Sequence, residues 1–177
     1  LERVVESIRA AAAEAGVEIV TGDTKVVERG KADQLFINTA GIGRVPPGVE
    51  ISAARARAGD KIILSGTLGD HGIAVLCQRE GFAFDTDLDS DCAPLNGMVA
   101  EMVAESNQIH SMRDPTRGGL AAVLTEIAEQ SKAGIEIEEQ ELPVRSAVQT
   151  ACGFLGLDPL HLANEGKLVA AVAGGDA

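Results

Sequence analysis

Two helical stripes set between short extended runs constrain this chain more than any other feature. From Pro94 onward, Leu95, Met98, Val99, Met102 and Val103 fall on one face of an α-helix, and proline is favoured at such a start. Leu120, Val123, Leu124 and Ile127 repeat that spacing. Around them lie runs with strand character: Val17–Val20, Leu35–Ile42, Lys61–Ser65, Ile135–Ile137 and Leu168–Val172. Further helices are expected over residues 2–15, from Asp70 to Gly81 with Asp70 as the cap, and over roughly Arg145–Cys152. In the first of these, Val4, Ile8, Ala11 or Ala12, and Ala15 form the apolar stripe and Gly16 the stop. The alternation predicts an α/β (α+β) layer fold with helices on a sheet.

Arg44–Gly48, with its Pro-Pro-Gly, reads as a linker between two units, residues 1–48 and 49–177. A helix already under way at residue 2 without a methionine, and an end just past a strand-like run, predict a piece of a longer protein.

Composition narrows the function classes. A formal net charge of −12 disfavours a nucleic-acid or anionic-membrane partner. Four Phe with no Tyr or Trp leave no platforms for base stacking. Cys77, Cys92 and Cys152 are odd in number and scattered, without a CxxC, which fits a reducing, cytoplasmic setting better than a disulfide framework or a structural zinc site. No apolar run approaches ~18 residues, so no membrane helix is expected. On so acidic a chain a phosphate ligand needs local N–H groups, Lys, Arg or a divalent cation to hold it.

Several short motifs have the residues for such chemistry, and each has a plainer reading beside it. In Thr21–Val27 (TGDTKVV), Asp23 can hold Mg²⁺ and Lys25 can contact phosphate oxygens, with Thr24 between them; the alternative is a hairpin turn with a surface salt bridge. Ser65–Gly72 (SGTLGDHG) offers N–H groups at a helix start, or is only a tight strand-to-helix connection in which His71 is a surface residue. In Asp114-Pro-Thr-Arg-Gly-Gly119 the proline keeps Asp114 at the end of the preceding strand, Arg117 supplies a fork for an anion, and Gly118 and Gly119 let a ligand or another backbone come close. The alternative is an Asp–Arg pair that fixes the turn. Asn164-Glu-Gly-Lys167 again combines amide, acid and base, as a turn also can. The acidic run Asp85, Asp87, Asp89 and Asp91 starts like an EF-hand loop but has Ser90 at the sixth position and Asn96 at the twelfth, so a solvated loop is expected. Neither the GxxxxGK[ST] nor the dinucleotide glycine signature is present.

Taken in order, TGDTKVV, TAGIG, RAGDKIILSG, SGTLGDHG, MRDPTRGG and ANEGK resemble the hydrogenase-maturation branch of the AIR-synthase-related (PurM-like) ATP-binding superfamily, over essentially the whole chain. The resemblance implies a two-domain architecture of mixed sheets covered by helices, here the end of the first domain and most of the second. It implies a homodimer in the full-length protein and an ATP-dependent carbamoyl dehydratase activity, turning an S-carbamoyl cysteine into S-cyanide for the cyano ligands of [NiFe]-hydrogenase. ATP and Mg²⁺ are the implied cofactors. A carbamoyl-transferring maturation protein and an iron-carrying maturation complex are the implied partners. Asp23 would be the metal ligand; Asp23, Thr24, Lys25, Asp114, Arg117, Gly118, Gly119, Asn164 and Lys167 would line the ATP site; Lys25 and Glu165 would be catalytic, Glu165 as base. A small-molecule-phosphorylating relative and a non-catalytic docking module are the alternatives. The branch's carbamoyl-carrying cysteine lies in a C-terminal tail that Cys77, Cys92 and Cys152 do not match, so the piece alone is expected to be inactive.

Overall fold

A computed structural model describes residues 1–82 and 88–177, and divides the chain into two units, Leu1–Val49 and Glu50–Ala177.

In the first unit, α1 spans Glu2–Glu14, and its more covered positions include Val4, Ile8 and Ala12 of the expected stripe. Gly16 follows in the left-handed region, as a helix stop requires. The strands expected at Val17–Val20 and Leu35–Ile42 do not form: both segments lack a ladder partner among the described residues, and Ile19, Val20, Phe36 and Ile42 are exposed. β-propensity marks a run that suits a sheet, but a strand exists only when a second strand takes up its N–H and C=O groups.

The second unit holds the core. A three-stranded sheet has the order β1 (Asp60–Leu64), β3 (Val169–Ala173), β2 (Ile109–Arg113), with both pairings antiparallel. The central strand β3, VAAVA, is buried along nearly its whole length. That is why it reads as an unbroken apolar run instead of an alternating one. Val169 joins Leu120, Val123, Leu124 and Ile127 of α4 (Gly119–Ser131), while Ala170 and Val172 face Met98, Val99, Met102 and Val103 of α3 (Asn96–Glu105). Alternate β3 residues point to opposite faces, so the two predicted stripes cover the two faces of one sheet. Full burial of each such side chain stabilises the fold by about 1.5–3 kcal/mol. A third cluster joins Ile73 of α2 (Asp70–Glu80) to Val148 and Ala151 of α5 (Ser146–Leu155).

Two expectations fail here. Ile135–Ile137 forms no strand; Ile135 packs against the α4 cluster, but the segment has no paired neighbour among the described residues. Asp70 does not cap α2 either. The cap position is Gly69, in the left-handed region, and the Asp70 carboxylate is turned to other partners.

Candidate functional site

The antiparallel register explains why three motifs distant in sequence meet. Leu64 at the end of β1 and Arg113 at the end of β2 both pair with Val169, the first residue of β3. The loops leaving β1 and β2 (65–69 and 114–118) and the loop entering β3 (162–168) therefore emerge at one end of the sheet.

Asn164 ties these loops together. Fully buried, its Oδ1 accepts the Gly69 N–H at 2.7 Å, and its Nδ2 donates to the carbonyls of Pro115 at 3.1 Å and Leu162 at 2.9 Å. Its backbone N–H also donates to Pro115 at 3.2 Å. The side chain expected to contact a ligand is thus engaged by the protein itself, and its place at the site is that of a clamp. Gly119 likewise serves a backbone neighbour: a Cβ there would stand 2.3 Å from the Leu160 carbonyl oxygen and 2.6 Å from that of Leu162.

Lys167 is buried with its ammonium group on Asp91, and it lies 3.7 Å from Asp70. Asp70, buried at the start of α2, also accepts the Thr67 hydroxyl and stands 3.6 Å from Arg145. Asp91 further accepts the Glu165 N–H at 3.2 Å. Burying these charges is tolerable because each faces an opposite one. Asp91 corrects the expectation of a solvated acidic loop: its side chain is only 13% exposed. Asp89 is exposed, and Asp85 and Asp87 lie outside the described residues.

Glu165 is half-buried, with Oε1 at 4.0 Å from His71 Nε2. His71 Nδ1 is 2.8 Å from Ser90 Oγ. His71, expected as a surface residue, is therefore part of the cluster. Spacing alone marked neither His71 nor Asp91. Glu165 lies 94 residues from His71 and Lys167 lies 76 from Asp91, and the only signal in the sequence was a histidine following an acid and an acid in an unexplained acidic run.

Asp114 sits just past β2, as Pro115 requires. It is exposed, accepts the Thr116 hydroxyl at 2.8 Å, and lies 3.6 Å from Arg113. Its cationic neighbour is thus Arg113; an Asp114–Arg117 pair fixing the turn does not form. Arg117 and Gly118 are exposed at the start of α4, where Gly118 is the cap residue and no side chain caps the helix. An uncapped helix start presents N–H groups and the positive end of the helix dipole, and with an arginine beside it this suits an anion.

In the first unit, Asp23, Thr24 and Lys25 are exposed, and Asp23 Oδ1 accepts the Thr24 N–H at 2.7 Å. Neither Asp23 nor Lys25 forms an ion pair among the described residues, so the salt-bridged hairpin does not form. No group of three or more His, Cys, Asp or Glu suited to a metal gathers among the described residues. A single exposed carboxylate still fits Mg²⁺, which commonly takes one or two carboxylates and completes its shell with phosphate oxygens and water. A groove of about 550 Å³ in the second unit, between Lys61, Leu64, Leu124, Ile135 and Leu142, is lined by part of the RAGDKIILSG stretch but by none of the candidate site residues. No helix among the described residues is long and apolar enough to cross a membrane.

With this architecture, the chain matches the C-terminal domain of AIR synthase related proteins over residues 57–177 and their N-terminal domain over residues 1–45, and it belongs to that family. Within the family, the relatives of this chain at about half identity or more include the following. It is 59% identical over 174 residues to the carbamoyl dehydratase HypE of Rhizobium leguminosarum bv. viciae, covering 98% of this chain and 50% of that protein. The crystal structure of hydrogenase maturation protein HypE in complex with ATP superposes with a TM-score of 0.96 at 55% identity, covering 99% of this chain and 52% of that one. HypE in a HypE–HypF complex superposes equally well, with a TM-score of 0.96 at 51% identity, over 99% of this chain and 58% of that one. The chain spans about half the length of the curated relatives it matches.

Proposed function

We propose that this chain supplies part of the ATP site of a carbamoyl dehydratase, an enzyme that converts an S-carbamoyl cysteine to S-cyanide during hydrogenase maturation. The printed activity of the relatives and the ATP-bound relative support this reading. The observation from this chain that carries it is the uncapped start of α4 with exposed Arg117, tied through Asn164 to the starts of α2 and β3.

The reaction asks two things of the protein. Negative charge on the transferring phosphoryl group must be stabilised, and the carboxamide nitrogen must lose its protons. The backbone N–H groups at the α4 start and the Arg117 guanidinium meet the first demand as donors to negative charge. Lys25, with Thr24 beside it, would contact phosphate oxygens, and Asp23 would hold Mg²⁺, which would supply charge neutralisation. Asp114, exposed beside Arg113, is assigned to the same site. Glu165 is the base. Lys167 and Asn164 act indirectly: the first holds Asp91 and Asp70, the second holds the loops.

The partners of the full-length protein follow from the same reading: a carbamoyl-transferring protein of the HypF kind, an iron-carrying maturation complex, and a second copy of the chain, all in the cytoplasm. Calorimetric titration with Mg-ATP tests the site in a chain of the relatives' full length carrying this sequence. Arg117→Ala is expected to weaken binding about 10- to 100-fold, as loss of a charge-assisted contact does. Unchanged affinity in a folded variant counts against the site.

A further inference from the structure

A carboxamide that becomes a nitrile gives up two protons from one nitrogen. The first leaves as the oxygen is phosphorylated and the amide becomes an imidate; the second leaves as phosphate departs and the C≡N bond forms. One carboxylate holds one proton at a time. If Glu165 is the base, as the reading above has it and on which this inference rests, it must discharge between the two steps.

The surroundings of Glu165 offer one outlet. Its Oε1 stands 4.0 Å from His71 Nε2, and His71 Nδ1 stands 2.8 Å from Ser90 Oγ. The Ser90 hydroxyl in turn reaches Cys92 Sγ at 3.1 Å, and both Ser90 and Cys92 are exposed. Side-chain exposure is 34% at Glu165 and 21% at His71, so the chain of groups runs from a half-buried carboxylate through a more covered ring to open water. Among the described residues, the other charged groups nearby face ion-pair partners of their own. Asp91 holds Lys167 and the Glu165 N–H, and Asp70 holds Thr67 and faces Lys167 and Arg145.

We propose that His71 is the positioning and proton-relay residue for Glu165. The neutral Nε2 receives the proton from Glu165 Oε1, the O–H bond breaking as the N–H bond forms. The imidazolium then gives its Nδ1 proton to water by way of Ser90 Oγ, which restores the carboxylate and the neutral ring. No oxidant, reductant or second substrate is consumed. A separation of 4.0 Å is an ion-pair distance, so the transfer requires the two side chains to close by about 1 Å.

The test uses a chain of the relatives' full length carrying this sequence, supplied with Mg-ATP and a peptide bearing S-carbamoylcysteine, with nitrile formation followed by mass spectrometry. His71→Ala, His71→Gln and Ser90→Ala are compared with the wild type and with Glu165→Gln. For His71→Ala the expected result is a kcat lowered about tenfold or more, the lower reach of proton-transfer effects, with KM for ATP within about twofold. Added imidazole should restore the rate, which a merely structural loss would not permit. Ser90→Ala should lower kcat less. His71→Gln keeps the bulk of the ring and a polar contact to Ser90, so it carries the test if the alanine variant is unstable, and it should lose kcat as well. A His71→Gln enzyme with wild-type kcat, or a folded His71→Ala enzyme whose loss imidazole leaves untouched, overturns the relay while the dehydratase reading stands. A wild type that forms no nitrile overturns that reading and the relay with it.

Discussion

Asn164 Oδ1 accepts the Gly69 N–H at 2.7 Å across 95 residues of sequence. Through the same side chain Pro115 is bound as well, so one buried amide fixes the starts of two helices relative to the strand that follows it. Replacing Asn164 by Ala takes the side-chain acceptor from the Gly69 N–H and the side-chain donor from the Leu162 carbonyl in a dry setting, while the Pro115 carbonyl keeps only the backbone N–H of residue 164. The expected loss is about 2–4 kcal/mol, read as a lower urea midpoint with an unchanged slope. A shift corresponding to less than about 0.5 kcal/mol, the range of neutral surface changes, would show that the clamp does not hold the loops.

Gly119 and Gly156 share a left-handed backbone, at φ of 64° and 67°, but differ in their surroundings. A Cβ at Gly156 meets nothing within 4 Å, whereas at Gly119 it meets backbone oxygens at 2.3 and 2.6 Å. Gly156→Ala should cost about 1–2 kcal/mol, the penalty of the backbone region alone. Gly119→Ala should cost at least about 2 kcal/mol more, because backbone must move to admit the methyl group. Thermal unfolding of the two variants side by side measures the difference, and equal losses would contradict the close approach.

Lys167→Met removes the cation from Asp91 and Asp70 but keeps the stem that packs on Gly66. Two buried carboxylates then face each other's field with less compensation, and stability should fall by about 3–5 kcal/mol. In the double variant with Asp91→Leu part of that loss should return, since one uncompensated charge is gone. A denaturant series over wild type, both single variants and the double variant decides this; strictly additive losses would deny the pair.

Cys152 is buried between α5 and α2, and its thiol is pushed above the ordinary value, first by burial and then by the nearby Asp158 carboxylate. The native thiol therefore keeps its proton at a pH where the unfolded one, titrating near about 8.5, has lost it. The unfolded state binds fewer protons in that window. This contribution to stability is thus intact below about pH 8.5 and declines as pH rises beyond it. Cys152→Ala should flatten that decline, by at most about 1.4 kcal/mol per pH unit, in urea titrations at alkaline pH. In native protein a thiol reagent should label exposed Cys92 first and Cys152 only on unfolding.

Much of the second unit was legible in the sequence for a definite reason. The stripes beginning at Leu95 and Leu120 are long enough to fix helix period and face, and the unbroken LVAAV run marks a strand covered on both sides. Val17–Val20, Leu35–Ile42 and Ile135–Ile137 failed because pairing is a property of two segments, and one run cannot state whether its partner is at hand. At the site, sequence identified the loops better than the roles. The clamp made by Asn164 is not legible because an amide in a turn looks the same whether it binds ligand or backbone. Asp91 reads as part of a solvated loop and His71 as a surface residue because a salt bridge to Lys167 or an approach to Glu165 spans 76 and 94 residues that no local pattern records.

ATP-dependent dehydration of a carbamoylated thiol is the function proposed for these loops. The most direct measurement is the mass of an S-carbamoylated protein of the relatives' full length, carrying this sequence, before and after Mg-ATP. The expected result is loss of one water with formation of ADP and phosphate, and no such loss in Glu165→Gln. A folded wild type whose carbamoyl mass is unchanged after ATP exposure would contradict it.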